Sequence, residues 1–190
     1  MFGRPFPVLQ RLGHYLAPVP VTRRWRRITP LELMHRLPTL GCVLYLPGDG
    51  MGIDPPHGCL LGARELEPLL RTHWLAEAGE VTTDGPHEWV ECVDVRGVTQ
   101  ARLHLLPDTD YLAWDRLLAM GQDTSAPAPW RASRRFQPAS ARLCGFRWRP
   151  LACFQVFDAC PAPAVSLAGQ RVVAQVARAE ALPLPLAIRV

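Results

Sequence analysis

Two histidines in this chain stand beside groups that could make chemistry of them. His104 follows Gln100 and Arg102 at alternating positions of an extended stretch, so the three side chains share one face. His73 is followed directly by Trp74. An imidazole binds a transition metal, an arginine fork pairs with carboxylates, and an indole packs against flat apolar surfaces. Together these are the parts of a haem site: a ligand for iron, a cation for the propionates and an aromatic wall for the macrocycle. His104 is the leading candidate ligand and His73 the second. Arg102 is the candidate propionate or structural cation, and Trp74 the packing ring. The polar face bearing Gln100, Arg102 and His104 either meets water or lines a pocket, and the sequence leaves both readings open.

Other chemistries find less support. The chain has no G-x-S-x-G elbow, and its four serines, Ser125, Ser133, Ser140 and Ser166, fall mostly in a Pro-rich stretch. HExxH is absent. Gly48, Gly50 and Gly52 resemble a phosphate loop only superficially, because no GK[ST] follows and Asp54-Pro55-Pro56 opens no helix. The six cysteines, at 42, 59, 92, 144, 153 and 160, form no CxxC pair, so free buried thiols are expected rather than a zinc site. Cys160-Pro161 is a spare candidate for iron, since a thiolate can ligate and the proline keeps the chain extended.

The elements that must position these residues can be read locally. His87 to Val95 alternates as a strand with Trp89, Val93 and Val95 on one face, and Arg96-Gly97 turns the chain. Val98 to Leu106 is a second strand, with Thr99, Ala101, Leu103 and Leu105 facing opposite to the Arg102 and His104 face. Pro107 stops it, and Asp108 or Asp110 caps a helix with a stripe of Tyr111, Trp114, Leu117 and Leu118, which Gly121 ends. Upstream, Thr29-Pro30-Leu31-Glu32 is a capping box, predicting a short helix that buries Leu31, Met34 and Leu37 and ends at Pro38 and Gly41. A compact strand over Cys42 to Leu46 follows. Leu60 to Trp74 fits either a strand broken by Pro68 or a helix after it, and Thr82 to Pro86 reads as a loop. Residues 122–142 are linker-like, and Gly145 to Phe157 predicts two strands around Arg149-Pro150. Val165 to Leu182 predicts a last helix starting near Ser166, with Val172, Val173 and Val176 on its buried face.

At 190 residues, 48% of them apolar, the chain is long enough for one domain with a filled core. Residues 1–28 form an N-terminal arm in this reading, Pro-rich and then basic around Trp25, and residues 29–190 one domain. The 20 prolines favour short elements. No apolar run approaches the length of a membrane span, and the broken N-terminus has no apolar core of a signal peptide, so a cytoplasmic location is the expectation. The net charge of +4 is mild, carried entirely by arginine without lysine. Arginines over 131–149, interleaved with Phe136 and Trp148 and preceded by Trp130, could meet an acidic partner or nucleic acid, although the small charge and the absence of a recognisable motif argue against nucleic acid.

The central region resembles the haem-utilisation proteins of the HemS/HmuS and ChuX/HutX type. The likeness lies in Val93-Asp94, Gly97, the strand Ala101 to Leu105, the acidic loop Asp108-Thr109-Asp110 and Ala113-Trp114-Asp115-Arg116-Leu117-Leu118. Upstream it includes Leu33 to Leu44, Glu65-Leu66-Glu67 and His73-Trp74, so it covers about residues 31–119 as one unit and leaves an extension at 122–190. Three departures matter. A common His-Lys of that family reads Ala101-Arg102, a frequent Tyr is His104, and an Arg-Asn strand is Tyr45-Leu46-Pro47. The family's axial ligands therefore do not transfer, and His104 and His73 stand on the residue reading alone.

The resemblance implies an α+β fold with a large antiparallel sheet and flanking helices, haem as cofactor or cargo, and a homodimer as one state such proteins often adopt. It also implies a role in transport, storage or utilisation of haem after uptake, with haem-uptake machinery or a haem-degrading enzyme as partners. A single-unit member looks more like a carrier than an enzyme. The competing expectations are an interaction module using the Arg-rich 131–149 segment and, third, an enzyme that itself degrades haem.

Overall fold

A computed structural model describes residues 22–49, 59–82, 85–128, 136–162 and 164–185. The strands are β1 (Thr22–Arg27), β2 (Val43–Pro47), β3 (Cys59–Leu61), β4 (Trp74–Thr82), β5 (Gly85–Val93), β6 (Thr99–His104), β7 (Gln122–Thr124), β8 (Arg142–Leu151) and β9 (Phe154–Pro161). The helices are α1 (Pro30–Arg36), α2 (Tyr111–Leu118) and α3 (Leu167–Ala179), with 3-10 turns at Leu37–Leu40 and Arg64–Arg71. The strands form one sheet in the order β3-β9-β8-β2-β6-β5-β4-β1-β7. Every pairing is antiparallel except that of β3 with β9. The fold is thus α+β with a large, mainly antiparallel sheet and flanking helices.

Alternation along the strands divides the core into two layers. On one face, Val43, Tyr45, Leu75, Val90, Cys92, Ala101, Leu103 and Phe146 pack beneath α1, α2 and both 3-10 turns. On the other, Leu44, Leu46 and Leu143 pack against Val173 and Val176 of α3. Arg102 and His104 belong to this second face. Their expected partner in alternation, Gln100, sits where the β5–β6 register shifts, and it binds Arg71 at 3.3 Å and Asp94 at 2.9 Å instead.

Local rules account for the element ends. Thr29 and Glu32 close the capping box of α1, and Asp110 caps α2 by accepting from the Ala113 amide at 2.9 Å. Ser166 caps α3, and both its amide and its hydroxyl donate to Asp108 at 2.9 Å. Asp108 therefore ties α3 to the loop after β6 rather than capping α2. Each predicted apolar stripe is rotated slightly: α1 buries Leu33 and Met34 and leaves Leu31 exposed, while α2 buries Ala113, Trp114 and Leu117 and leaves Tyr111 exposed. The tertiary contact, not the period, sets the angle of the stripe.

Four sequence expectations change. The described end of the presumed arm is β1, an interior strand between β4 and β7 that buries Trp25. Two of its arginines meet carboxylates of other strands: Arg26 lies 2.8 Å from Asp123 on the adjacent β7, and Arg23 lies 3.4 Å from Glu91 on β5, beyond β4. Leu60 to Trp74 is a short strand followed by a 3-10 turn that contains Pro68. β4 was hidden because its Ala, Gly and Glu residues have weak strand preference. The β8–β9 hairpin turns at Ala152-Cys153, with Ala152 at φ 53°, and not at Arg149-Pro150, which lie within β8. Residues 142–185 are thus built into the same sheet and its cover.

Cys42, Cys92 and Cys144 are buried thiols, and burial pushes them up to about 11, 12 and 12. Cys153 is exposed, Cys160 is half-buried, and the Cys59 side chain lies outside the described residues.

Gly121 follows α2 at φ 74°, and a β-carbon there would collide with the Arg27 carbonyl oxygen as the chain enters β7. Gly121→Ala is expected to destabilise the fold by more than about 1 kcal/mol. The midpoint of urea denaturation checks this, and an unchanged midpoint contradicts it.

Candidate functional site

The site is built on the sheet face that carries Arg102 and His104. His104 lies directly across from Trp89 on β5 and from Leu44 on β2. Its ring stacks on the Trp89 indole, with centroids 5.8 Å apart and planes 25° apart. One step along, Arg102 lies directly across from Glu91 on β5 and Leu46 on β2. The face continues over β4 and β1 with Ala78 and Ala76 and then Arg23 and Trp25, by the paired registers. Ala76 and Ala78 make a flat strip between the indoles of Trp25 and Trp89.

His104 is only 7% exposed, and its Nε2 atom has no hydrogen-bond partner among the described residues. A buried polar nitrogen without a partner costs about 1–3 kcal/mol, and such atoms in a native fold call for an explanation. Burial pushes the imidazole down from its ordinary 6.5 to about 3, with the nearby Arg102 and then His87 adding to the effect. The ring is therefore neutral near pH 7. So weak a base is poorly matched to general acid–base work near neutrality, whereas metal ligation uses the neutral imidazole.

Arg102 is already engaged. Its guanidinium lies 3.2 Å from Glu91 and 2.6 Å from Glu180 at the end of α3, and 4.8 Å above the Phe136 ring. Glu91 is 2% exposed and also lies 3.4 Å from Arg23, while the Trp89 indole N–H donates to it at 3.4 Å. A carboxylate in that position is tolerated because Arg102 reaches it from the adjacent β6 and Arg23 reaches it across β4 from β1. Reaching a propionate would require Arg102 to exchange Glu180 for it.

The other two candidates are at the far end of β5. Trp74 opens β4 opposite Val93 and packs with Trp25, Ala76 and Val93 on the same face as His104. The His73 amide donates to the Val93 carbonyl at 2.8 Å, and its Nδ1 lies 2.9 Å from the Arg71 carbonyl oxygen. Val93 lies four residue steps along β5 from Trp89, roughly 13 Å of strand. The fold joins His104 to Arg102, and His73 to Trp74, but it does not bring His73 to His104 for two imidazoles on one iron. Sequence reasoning missed Glu91, Trp89 and Glu180 as site neighbours. The alternation of His87, Trp89 and Glu91 was the available signal for the first two, and nothing local announced Glu180.

Two secondary candidates resolve differently. Cys160 and Pro161 line a separate cleft of about 580 Å³ with Leu143, Cys144 and Leu184, and β8 and β2 stand between β9 and the His104 strand. In the Arg-rich segment, Trp130, Arg131, Arg134 and Arg135 lie outside the described residues. Of the rest, Arg142 pairs with Glu65 and Arg149 with Asp158, while Trp148 packs on Phe157 and donates to the Met34 carbonyl at 3.2 Å. Those arginines meet carboxylates of the fold itself, and the Trp148 ring is turned inward. Among the described residues, no group of three His, Cys, Asp or Glu is placed to hold a metal ion, and no helix is long and apolar enough to cross a membrane.

No protein-family model matches this chain, and no curated protein sequence matches it. Among solved structures it is similar to the haem-degrading enzyme ChuS of Escherichia coli O157:H7, with 17% identity and a TM-score of 0.42 over 60% of this chain and 39% of that one. It is also similar to holo-PhuS, a haem-binding protein of Pseudomonas aeruginosa, with 17% identity and a TM-score of 0.38 over 62% of this chain and 39% of that one. The chain thus spans about two fifths of the length of either structure.

The His104 environment has a pH consequence of its own. Between about pH 3 and 6.5 the unfolded chain binds a proton at this ring that the folded protein does not. Stability should therefore fall as pH drops through that window, by up to about 1.4 kcal/mol per pH unit from this residue. Denaturant melts of the wild type and His104→Gln at several pH values test it: the difference between the two should shrink or reverse on acidification, and a pH-independent difference contradicts the neutral buried ring.

Proposed function

We propose that this protein binds haem on the sheet face formed by β6, β5, β4 and β1, with Nε2 of His104 as the protein's ligand to iron. The observation that carries this reading is the His104 ring itself: buried, neutral, stacked on Trp89 and presenting a nitrogen without a partner among the described residues. A metal ligand is the role that uses every one of those properties. The surrounding side chains suit a flat apolar group, with Trp25, Trp74 and Trp89 around the Ala76 and Ala78 strip. Because His104 is buried, seating a ligand requires a local opening of this face. Arg102 in this reading is primarily a structural cation held by Glu91 and Glu180, and it reaches a propionate only by exchange. His73 and Trp74 lie at the far edge of the same region and serve as packing or secondary contacts.

When bound, haem would supply its iron and its flat apolar surface; this chain's residues hold it and exclude water. The role that follows is intracellular holding or delivery of haem after its uptake. Degradation would add an electron donor and an open distal side. ChuS and PhuS are described as haem-degrading and haem-binding, but the reading for this chain rests on His104 and not on that likeness.

The test is a titration of the purified apoprotein with hemin, followed at the Soret band. A saturable shift near one hemin per chain is expected, and weak, unsaturating absorbance overturns the proposal. His104→Ala should shift the spectrum and weaken binding by tenfold or more, a loss of at least about 1.4 kcal/mol; an identical spectrum removes His104 as the ligand. Ascorbate added with catalase should leave the carrier's band in place, whereas steady bleaching identifies degradation.

A further inference from the structure

We infer that Arg102 is a positioning residue that couples the seating of helix α3 to access at His104. The inference rests on the reading of His104 as the ligand site, but its mechanical part stands on contacts alone. Glu180, at the C-terminal cap of α3, accepts a hydrogen bond from Arg102 at 2.6 Å. The same guanidinium lies 3.2 Å from Glu91, whose Oε1 accepts from the Trp89 indole at 3.4 Å. Trp89 stacks on His104. Glu91 lies across from Arg102 and Trp89 across from His104, so the four side chains form two adjacent cross-strand pairs on one face. A single run of contacts thus leads from the end of α3 to the imidazole.

The helix reads as a strap fastened at both ends. Its N-terminus is held by Asp108 through Ser166, and its C-terminus by Arg102 through Glu180. Between these points it buries Val173 and Val176 in a cluster with Leu44 and Leu46, the β2 neighbours of His104 and Arg102. Because His104 is buried, the open form of this face is the minor one, and apparent affinity for a ligand is reduced by the fraction of molecules that are open. Releasing the C-terminal fastening raises that fraction. By linkage, a ligand that requires the opening loosens α3 by the same factor.

Glu180→Ala removes the fastening at the helix end, and Glu180→Gln keeps an acceptor for Arg102 as the conservative control. In the apoprotein, Glu180→Ala should speed amide exchange in residues 173–182 and speed modification of the His104 ring by diethyl pyrocarbonate, each by roughly tenfold, the scale of a lost hydrogen bond between charged groups. Glu180→Gln should return both rates most of the way toward wild type. Faster exchange in α3 with unchanged modification of His104 overturns the coupling, and so does no change in either. Hemin affinity should rise in Glu180→Ala by the same factor as the modification rate. If His104 becomes accessible but no form of the protein binds hemin saturably, the coupling stands and the haem reading falls.

Discussion

The structure turns on a carboxylate that would be costly where it sits. Glu91 is almost fully buried in the middle of the sheet, and an unpaired charge there would be prohibitive. It is accommodated because β6 brings Arg102 and β1 brings Arg23 to it. Arg102 then has charge to satisfy on its other side, and Glu180 of α3 supplies it. One buried acid thereby helps specify how two elements from far apart in the chain, β1 and α3, are set against the central β5–β6 hairpin. Such pairs contribute little net stability compared with apolar packing, and their value here lies in fixing register and placement.

That arrangement explains how His104 comes to be held as it is. Without Trp89 fixed by Glu91 on one side and Leu44 packed beneath α3 on the other, a histidine at this strand position would face water and titrate near 6.5. Enclosed, it is neutral and keeps Nε2 without a partner among the described residues. The properties that suit it to ligation come from its neighbours and not from the residue type, since five other histidines in the chain share that type.

Much of the local architecture was legible before any coordinates. The β5–β6 hairpin with its turn at Gly97, the capping box at Thr29, the cap of α2 at Asp110 and that of α3 at Ser166 each depend on a few adjacent residues, and each formed where its motif lies. Hidden elements had weak or misleading local signals. β4 carries Ala, Gly and Glu, which a strand accepts only when neighbours on both sides complete its ladder. β1 is basic enough to read as a solvated arm, and its pairing with β4 and β7 makes it a strand, with Glu91 and Asp123 meeting two of its arginines. The candidate site divides the same way. Arg102 and His104 could be placed on one face from alternation, but Gln100 left that arrangement at a register shift, and the distance between His73 and His104 depends on the pairing of β4 with β5.

By itself the sequence determined the caps and turns, the central hairpin and helix, and the shared face of Arg102 and His104, because periodicity, capping and turn geometry act over a few residues; the α+β class entered only through the resemblance. Only the tertiary structure decided whether that face meets water or is enclosed. It also decided that Arg102 is bound to Glu91 and Glu180 and that the last 40 or so described residues, β8 to α3, complete the sheet and its cover. Those outcomes depend on groups far apart in the chain, Arg102 and Glu180 being 78 positions apart. No local pattern records such a pairing, because the energy that selects it arises when burial removes the water that would otherwise satisfy each charge.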